Sequence, residues 1–449
     1  MLTLTDPPRL DLAAHTARRE RIAARIGEGA ALILPGGDAK TRSLDTEYRF
    51  RPDSNFHYLT GLGEAGAVMV LRPGREPPFT LFVQPRDPKV EVWTGRRIGP
   101  EGAVAIHGAD AAHPRDELAQ RLPALLDGVD TVYLPFHGAP ALHEAVMAAC
   151  DDLRRRNRTG ARSPECLRDA RALLGEDRII KDAPALACLR RAVDITASGH
   201  LAAIRGTRPG LGEHQIEALL EFHFRRHGAA GPGYGTIVGS GANATILHYV
   251  ANDAPLEPGH LLLVDAGAEY GTFTGDITRT FPVSGAFTPA QRDLYAIVLA
   301  ANEAGIREAR VGSNIDAIHH VCLRTLCEGL SALGLVDGSL DAILEEQRYL
   351  PYYMHRTSHW LGADVHDAGH YTIDRRPRPL APGFVLTVEP GLYVAADDAR
   401  APAELRGCGI RIEDDVLIRE EGPEVLSAAV PKAIAELEAL VGSDPSVWD

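Results

Sequence analysis

The sequence predicts an α+β protein with a smaller α/β domain at its amino-terminal end. Its 449 residues exceed the size of one typical domain, so two domains are expected. Short apolar strands alternate with amphipathic helical patterns in the first third of the chain. The remainder places acidic residues inside apolar strand pairs, and long helical patterns precede each of these pairs.

The first part of the chain has the pattern of an α/β module that ends in a polar linker. Helices are predicted over 10–27 and 141–158, and strands over 31–36, 67–71, 79–84 and 131–136. The glycine-rich segment 92–103, VWTGRRIGPEGA, is predicted to be a loop that exposes Trp93 beside two arginines. Polar residues with Gly and Pro over 159–165 indicate a boundary. We therefore expect an amino-terminal domain over 1–165, a linker over 166–183 and a second domain over 184–449.

The second part combines four long helical patterns with strand pairs. Helices are predicted over 185–206, 210–228, 288–309 and 313–334, and strands over 261–264, 278–283, 384–394 and 408–418. The glycine-rich segment 231–250 is predicted to turn into a strand that carries His248. It matches neither GxGxxG nor the Walker pattern, so it is not a phosphate-binding loop.

Composition and charge limit the classes of function. The formal net charge of −14 opposes nucleic-acid binding, which normally requires a basic surface. No run approaches the ~18 apolar residues of a membrane span, and the first residues lack the pattern of a signal peptide. The six cysteines form no CxxC pair, so neither a zinc knuckle nor a disulfide framework is expected. We expect a cytoplasmic protein whose partners are small molecules, peptides or other copies of itself.

Four acidic residues interrupt strongly apolar strand patterns. Asp265 and Asp276 flank a predicted hairpin, and Glu389 and Glu413 lie in the two later strand pairs. An ionised carboxylate in such a position is costly unless it is paired or coordinates a metal. Two turn aspartates that cap a hairpin are the structural alternative for the first pair.

Adding His359 gives one imidazole and four carboxylates. This donor set suits divalent ions such as Mn²⁺, Co²⁺ or Fe²⁺. Four acids packed together repel one another unless about two divalent charges neutralise them. Two ions ~3.5–4 Å apart can hold a bridging hydroxide and polarise a carbonyl group. A dinuclear metal-dependent hydrolase is the interpretation that uses all five residues.

Other hydrolytic sites have weaker support. His355 and His359 have the spacing of the HExxH zincin helix, but Arg356 stands at the position of its glutamate. No GxSxG occurs, which argues against a serine hydrolase of that type. Cys408 precedes a strand with an acidic residue, but a small packed residue is the better interpretation there.

The order D…D…H…E…E resembles that of the metal-dependent aminopeptidase P and prolidase family. The motifs are VDAGAEYGTFTGDITRTF, HRTSHWLGADVHD, TVEPGLY and GIRIEDDVLI, over about residues 180–430. Upstream, DSNFHYLTG and VWTGRRIG are similar to the amino-terminal domain of bacterial aminopeptidase P. The resemblance implies a carboxy-terminal pita-bread (creatinase/aminopeptidase) fold and two metal ions, with Mn²⁺ favoured and Co²⁺, Fe²⁺ or Zn²⁺ as alternatives.

The resemblance also implies roles for individual residues, which are as follows. The metal ligands are Asp265, Asp276, His359, Glu389 and Glu413, the surrounding catalytic residues are His248, His355, His366 and Arg411, and the substrate-binding residues are Tyr234 and Tyr393. Trp93 is expected to reach substrate, in a homo-oligomer that is a dimer or a tetramer. The sequence departs from its relatives at Arg356, where they often have Gly after the first histidine.

The implied reaction is hydrolysis of the bond between an amino-terminal residue of any type and a following proline. In this mechanism a metal-bridging hydroxide attacks the carbonyl, Glu389 moves the proton and His366 stabilises the oxyanion. His248 and His355 bind the peptide or shape the proline pocket, and Arg411 orients a ligand carboxylate.

Several relatives of the same fold remain alternatives. A prolidase shares the five ligands but accepts only dipeptides. A methionine aminopeptidase lacks the long amino-terminal domain, and creatinase-like proteins lack the metal ligands. A non-catalytic pita-bread protein that binds peptides is the non-enzymatic alternative.

Overall fold

The computed structural model describes residues 10–448 and divides the chain into two compact units. The boundary lies between Asp177 and Arg178. The segment 166–183, expected to be a linker, includes a strand over Cys166–Asp169 and a helix over Ala170–Arg178. Below, the amino-terminal unit is 10–177 and the carboxy-terminal unit is 178–448.

The amino-terminal unit is built on one mixed six-stranded sheet in the order β6-β5-β4-β1-β7-β8. The six strands of this sheet are β1 (Ala30–Pro35), β4 (Val68–Leu71), β5 (Phe79–Val83), β6 (Ala111–Pro114), β7 (Thr131–Leu134) and β8 (Cys166–Asp169), and the short strands β2 (Thr41–Ser43) and β3 (Thr46–Glu47) pair with each other outside it. Its helices are α1 (Leu12–Ile26), α2 (Ser54–Thr60), α3 (Pro88–Thr94), α4 (Gly99–His107), α5 (Leu118–Leu126), α6 (Pro140–Arg155) and α7 (Ala170–Arg178), with 3₁₀ turns at Arg115–Glu117 and Asn157–Thr159.

The sheet of this unit is covered on both faces. Leu32 and Leu34 of β1 belong to one buried cluster, whereas Ala31 and Ile33 belong to another. Successive side chains of a strand point to opposite faces, so each face of β1 has its own core. The predicted α/β module and its strands are therefore confirmed.

The predicted loop over 92–103 is only partly correct, because just residues 95–98 form a loop, between two helices. Trp93 lies on the short helix α3, where the side chain of Asp87 accepts a hydrogen bond from the backbone N of Lys89 at 2.9 Å. Pro88 suits the first helical turn because its fixed φ matches the helix and its missing N–H needs no partner there. Gly95 ends the helix. The glycines that suggested a loop therefore mark only the end of α3 and the start of α4. Trp93 is 87% exposed.

The carboxy-terminal unit packs long helices against small antiparallel sheets. Its helices are α8 (Ala183–Gly206), α9 (Glu213–Arg226), α10 (Pro289–Glu308), α11 (Ile315–Ala332), α12 (Leu340–Glu345) and α13 (Ile434–Leu440). Its strands are β9 (Gly231–Pro232), β10 (Ile237–Ser240), β11 (Leu261–Ala266), β12 (Ala268–Tyr270), β13 (Phe273–Thr274), β14 (Ile277–Pro282), β15 (Thr372–Ile373), β16 (Arg376–Pro377), β17 (Val385–Val388), β18 (Gly391–Val394), β19 (Cys408–Arg411), β20 (Asp414–Arg419) and β21 (Gly422–Val425). Short 3₁₀ turns lie at Gly241–Thr245, Ala403–Leu405 and Pro445–Trp448.

Two three-stranded sheets carry the acidic residues of interest. One has the order β10-β11-β14 and the other β17-β20-β21, and β18 pairs with β19 beside them. The four long helices predicted from the sequence are confirmed. For example, α10 starts at Pro289 behind Thr288, whose side chain accepts from the backbone of Gln291 at 3.3 Å. Within residues 10–448, no helix is both long and apolar enough to cross a membrane.

The strand predicted to carry His248 is shorter than expected. β10 ends at Ser240, a 3₁₀ turn over Gly241–Thr245 follows, and His248 lies in a turn beyond it. The physical reason is Glu213, which is fully buried. Its carboxylate accepts hydrogen bonds from the backbone N of Ser240 at 2.7 Å and of Ala254 at 2.9 Å. A buried side chain, rather than a neighbouring strand, therefore anchors this segment.

Candidate metal centre

Asp265 and Asp276 converge at one end of the β11–β14 pair. Asp265 lies in β11 opposite Thr278, and Asp276 directly precedes β14. The hydroxyl of Tyr234 lies 2.7 Å from Oδ1 of Asp265 and 2.5 Å from Oδ1 of Asp276. One phenol thus contacts both carboxylates, which places them side by side rather than at separate turns.

His359 directs one ring nitrogen at the acidic residues. Its Nε2 lies 3.4 Å from Oδ2 of Asp276 and 3.6 Å from Oε1 of Glu389. Its Nδ1 lies 3.0 Å from the carbonyl oxygen of Trp360. Donation from Nδ1–H to that carbonyl fixes the tautomer and leaves the Nε2 lone pair available to a metal.

Backbone hydrogen bonds fix the two glutamates. Glu389 follows β17, and its backbone N donates to the carbonyl oxygen of Thr357 at 2.8 Å. Glu413 lies between β19 and β20, and its backbone N donates to the carbonyl oxygen of Thr278 at 3.1 Å. The hydroxyl of Thr278 donates to Oε2 of Glu413 at 2.6 Å. Thr278 therefore ties the two sheets together at the site.

Arg411 is the buried cation of the cluster. Its Nη2 donates to Oδ2 of Asp265 at 2.6 Å, and its Nη1 donates to the hydroxyl of Tyr393 at 3.1 Å. That hydroxyl lies 2.9 Å from Nε2 of His355. Tyr393 is 1% exposed and does not line the cavity, so it contacts His355 and Arg411 on the side that faces the protein interior.

Burial and mutual repulsion shift the protonation equilibria of these acids. Burial, reinforced by Asp276 and Glu389, raises the pKa of Glu413 well above its usual range. Burial raises the pKa of Glu389 to about 7. Burial lowers the pKa of His359, but the hydrogen bond to Asp276 and the charge of Glu389 outweigh it and raise the pKa to about 9. With all four acids ionised, the site would hold more negative charge than Arg411 and a protonated His359 neutralise, and the raised pKa values express this repulsion.

These residues fit divalent metal ions. Asp276, His359 and Glu413 each offer one ligand atom, and the three atoms lie within 4.8 Å of one another. Asp265 and Glu389 lie beside this group: Tyr234 contacts both Asp265 and Asp276, and Glu389 lies close to His359. Carboxylate and imidazole donors suit Mn²⁺, Fe²⁺, Co²⁺ and Zn²⁺. The positive charge of such ions would relieve the repulsion among the carboxylates.

A cavity of about 870 Å³ opens onto this cluster. All five predicted metal ligands line it, together with Tyr234, His248, His355, His366 and Arg411. The ring of His366 meets that of His359 edge to face, with centroids 4.5 Å apart. The structure thus brings together all the predicted site residues except Tyr393, which lies behind His355, and Trp93, which belongs to the amino-terminal unit.

Comparison with known proteins identifies the family. The sequence model of metallopeptidase family M24 matches residues 187–420. This chain belongs to metallopeptidase family M24. A second model, that of the aminopeptidase P amino-terminal domain, matches residues 15–133 of this M24 protein.

The M24 chain is similar to its relatives over nearly its whole length. It is 43% identical to the Xaa-Pro aminopeptidase of Escherichia coli (strain K12), covering 94% of this chain and 96% of the relative. It is 32% identical to Xaa-Pro aminopeptidase 3 of Mus musculus, and the similarity covers 96% of this chain and 86% of that relative.

Solved structures show the same fold. A Pseudomonas aeruginosa aminopeptidase superposes with a TM-score of 0.94 at 41% identity, covering 96% of this chain and 98% of that one. The structure of E. coli aminopeptidase P with the inhibitor Pro-Leu superposes with a TM-score of 0.93 at 41% identity, again covering 96% of this chain and 98% of that one. The predicted α+β pita-bread fold with its smaller amino-terminal domain is confirmed.

Sequence reasoning missed residues of this M24 chain that support the ligands. Asp415 accepts a hydrogen bond from the backbone N of Asp276 at 3.0 Å and is fully buried. The run Glu413, Asp414, Asp415 is a signal that could have identified it, because three successive acids in an apolar strand need three separate explanations. Thr278 offered no such signal, since a threonine in a strand is ordinary.

A second buried charge cluster, which sequence reasoning also missed, lies beside His366. Asp367, with its side chain 1% exposed, pairs with Arg178, and its Oδ2 accepts from Nζ of Lys181 at 3.0 Å. The backbone N of Asp367 donates to the carbonyl oxygen of Trp360 at 2.9 Å. These contacts fix the chain immediately after His366.

Proposed function

We propose that this protein is a metal-dependent Xaa-Pro aminopeptidase, which releases the amino-terminal residue of peptides that have proline at the second position. The observation that supports it most directly is the convergence of one imidazole and four carboxylates on a cavity of about 870 Å³. Membership of family M24 supports the same assignment. So do the Xaa-Pro aminopeptidases of E. coli and Mus musculus, whose similarity extends over 94% and 96% of this chain.

Five residues would hold two divalent ions, and we favour Mn²⁺. They are Asp265, Asp276, His359, Glu389 and Glu413. When bound, such ions would polarise the scissile carbonyl and lower the pKa of the attacking water. Tyr234 supports this arrangement, because its hydroxyl contacts both aspartates, and burial raises its pKa well above the usual range so that it remains a donor.

Glu389 and His366 would perform the proton transfer and the oxyanion stabilisation. The carboxylate of Glu389 lines the cavity, with Oε1 toward His359 and Oε2 3.6 Å from Nδ1 of His355. We assign to Glu389 the transfer of a proton from the attacking water to the proline nitrogen. His366 lies against His359 on the same wall and would donate a hydrogen bond to the carbonyl oxygen as charge develops on it.

The remaining site residues would bind and orient. His248 and His355 line the cavity and would contact the peptide around the proline ring. Tyr393 would act on the substrate through His355, whose Nε2 it contacts at 2.9 Å. Arg411 would hold Asp265 in place through the 2.6 Å ion pair.

Trp93 extends the proposal to assembly. Trp93 and Val92 on α3 are 87% and 80% exposed, and adjacent large apolar side chains at a surface indicate a contact site. We propose that the protein is a homo-oligomer, a dimer or a tetramer, in which Trp93 reaches peptide bound by a neighbouring copy. Unchanged affinity for long peptides in Trp93→Ala would contradict this role.

A cytoplasmic location remains a prediction. All six cysteines are free thiols in the structure, as is usual in a reducing compartment.

The decisive experiment compares Ala-Pro with Ala-Pro-Ala as substrates of the metal-stripped protein and of the protein restored with Mn²⁺. We expect metal-dependent cleavage, faster for the tripeptide because the cavity has room beyond a dipeptide. Glu389→Ala should lower kcat by about 10²- to 10⁴-fold, the usual contribution of a positioned acid or base.

The outcomes separate the alternatives. Cleavage of Ala-Pro alone would indicate a prolidase. Stoichiometric binding of metal without cleavage of either peptide would indicate a binding protein.

A further inference from the structure

Two arginines line the cavity, and they differ sharply in exposure. The side chain of Arg411 is 4% exposed and is ion-paired with Asp265. The side chain of Arg356 is 60% exposed. Arg411 is therefore committed to the metal centre, whereas Arg356 is the arginine of this lining that an incoming peptide can reach.

A path of hydrogen bonds links the candidate metal centre to the residue next to Arg356. From Asp265, hydrogen bonds lead through Arg411 and the hydroxyl of Tyr393 to Nε2 of His355. His355 is next to Arg356 in the chain, and its side chain is 17% exposed. Among the cavity-lining residues of this path, side-chain exposure is 4% at Arg411, 17% at His355 and 60% at Arg356, so it increases from the candidate metal centre toward solvent. Because one residue precedes the scissile bond and all others follow it, the peptide beyond the proline must extend toward the open end.

The guanidinium of Arg356 is oriented but has donors to spare. Its Nη2 is ion-paired with Asp316, the second residue of α11, where the helix amino terminus favours a carboxylate. No other side chain or carbonyl within residues 10–448 accepts from its Nε or Nη1. An arginine presents five donors in a rigid fork, so one carboxylate leaves room for a second.

We propose that Arg356 selects peptides that carry a carboxylate on the leaving side of the proline. That carboxylate is either the terminal carboxylate of a short peptide or an acidic side chain after the proline. The inference rests on the proposed function and adds a substrate class to it. Since Arg356 is remote from the scissile bond, its contact is equally strong in the ground state and the transition state and should affect KM rather than kcat.

The first test measures binding of peptides that are not turned over, by calorimetry on the Mn²⁺-loaded protein. Pro-Leu against Pro-Leu-amide reports the terminal carboxylate, and Pro-Glu-amide against Pro-Gln-amide reports the side chain. We expect a preference of about two- to fivefold for at least one carboxylate member, the size typical of a half-exposed ion pair. Higher salt should reduce the preference.

Variants assign the preference to Arg356. Arg356→Ala should bring the acid-to-amide affinity ratio close to one, and Arg356→Lys should retain part of it. Asp316→Asn should increase the ratio, because it removes the competing carboxylate. Arg324→Ala is the matched control, since Arg324 lies on the same helix α11, is half-exposed and is ion-paired with Glu328, but does not line the cavity.

Kinetics on Ala-Pro-Leu and its amide complete the test. Arg356→Ala should raise KM for the acid more than for the amide. An equal fall in kcat for both would overturn the proposal and show that Arg356 positions His355 instead. An unchanged binding ratio would also overturn it, whether or not the peptides are cleaved. If no peptide is cleaved but the acid-to-amide affinity ratio still depends on Arg356, only the proposed function is contradicted.

Discussion

His200 shows how one buried side chain makes stability depend on pH. It is fully buried on α8, and its Nε2 lies 3.1 Å from the carbonyl oxygen of Ala266, next to Asp265. Protonation would place a positive charge where water does not reach it, and burial therefore lowers the pKa of His200 to about 4.

The sign of the effect follows from the two states. The unfolded chain binds a proton at this histidine below a pKa of about 6.5, whereas the folded chain binds it only near 4. Stability from this group is complete above pH 6.5 and is lost as pH falls toward 4. Between pH 7 and pH 5 we expect a loss of about 2 kcal/mol from His200.

Denaturant unfolding of the Mn²⁺-loaded protein at pH 7 and pH 5 measures this contribution. His200→Gln, which keeps a donor for the carbonyl oxygen of Ala266, should lose less of its denaturant midpoint between pH 7 and pH 5 than the wild type. His137→Gln is the control, because His137 is exposed on the surface. Equal losses in His200→Gln and wild type would contradict the assignment.

Single residues also show how far the sequence could predict the site. Asp265, Asp276, Glu389 and Glu413 stood out because an acid in an apolar strand conflicts with its surroundings and requires an explanation, and the structure brings them together with His359 at one cavity. Tyr393 was predicted as a substrate-binding residue, but it does not line the cavity, and its hydroxyl contacts Nε2 of His355. Which side of a strand faces a cavity depends on tertiary packing, and sequence alone does not determine it.

At the scale of elements, the segment that carries the three histidines is held by a buried charge cluster. Asp367 pairs with Arg178 and Lys181, and the side chains of all three are at most 3% exposed. Both cations lower the pKa of Asp367, in opposition to its burial. The segment around His366 is therefore anchored to the start of the carboxy-terminal unit.

Asp367→Asn should destabilise the protein and impair catalysis. The substitution keeps the shape but leaves two buried cations without a full counter-charge, a change that typically costs 3–5 kcal/mol, here taken as about 3 kcal/mol. We expect a lower denaturant midpoint and a lower kcat, because the chain next to His366 is released.

Asp364→Asn provides the matched control. Asp364 also pairs with Arg178, at 2.7 Å, but its side chain is 42% exposed. Water compensates for the loss of an exposed partner, so a small effect is expected. If the two variants were equally destabilised, the buried cluster would not be the anchor proposed here.

Elements with strong local signals were predicted, and elements stabilised at a distance were not. The helix α8 and the strand β11 follow from periodicity, a proline in the first turn and an uninterrupted apolar run. His248 was misplaced because its segment is anchored by Glu213, far away in sequence. The helix α3 was missed because seven residues with glycine nearby leave little periodicity to detect.

At the scale of the whole molecule, two of the three-stranded sheets of the carboxy-terminal unit, β10-β11-β14 and β17-β20-β21, meet around repelling acids. β14 contributes Thr278, whose carbonyl and hydroxyl oxygens contact Glu413 beside β20. The junction between the sheets is thus also the candidate metal centre. Binding of ions should stabilise this unit as a whole, because ions bind the folded site and not the unfolded chain.

Removal of metal should therefore destabilise the protein, and more strongly at high pH. In the stripped protein burial raises the pKa of Glu389 to about 7, and it also raises that of Asp276. An acid whose folded pKa is raised contributes stability at low pH that is lost as pH rises through that pKa. Stability of the stripped protein should consequently fall between about pH 4.5, the ordinary pKa of a glutamate, and about pH 7, whereas bound ions neutralise the same charge and remove that fall. The measurement is the thermal midpoint of stripped and Mn²⁺-loaded protein across this range.

Glu389→Gln provides the control. It should flatten the fall in the midpoint of the stripped protein, since it removes a titrating acid. Parallel pH curves for the stripped and the loaded wild type would contradict the idea that the ions relieve repulsion among these acids.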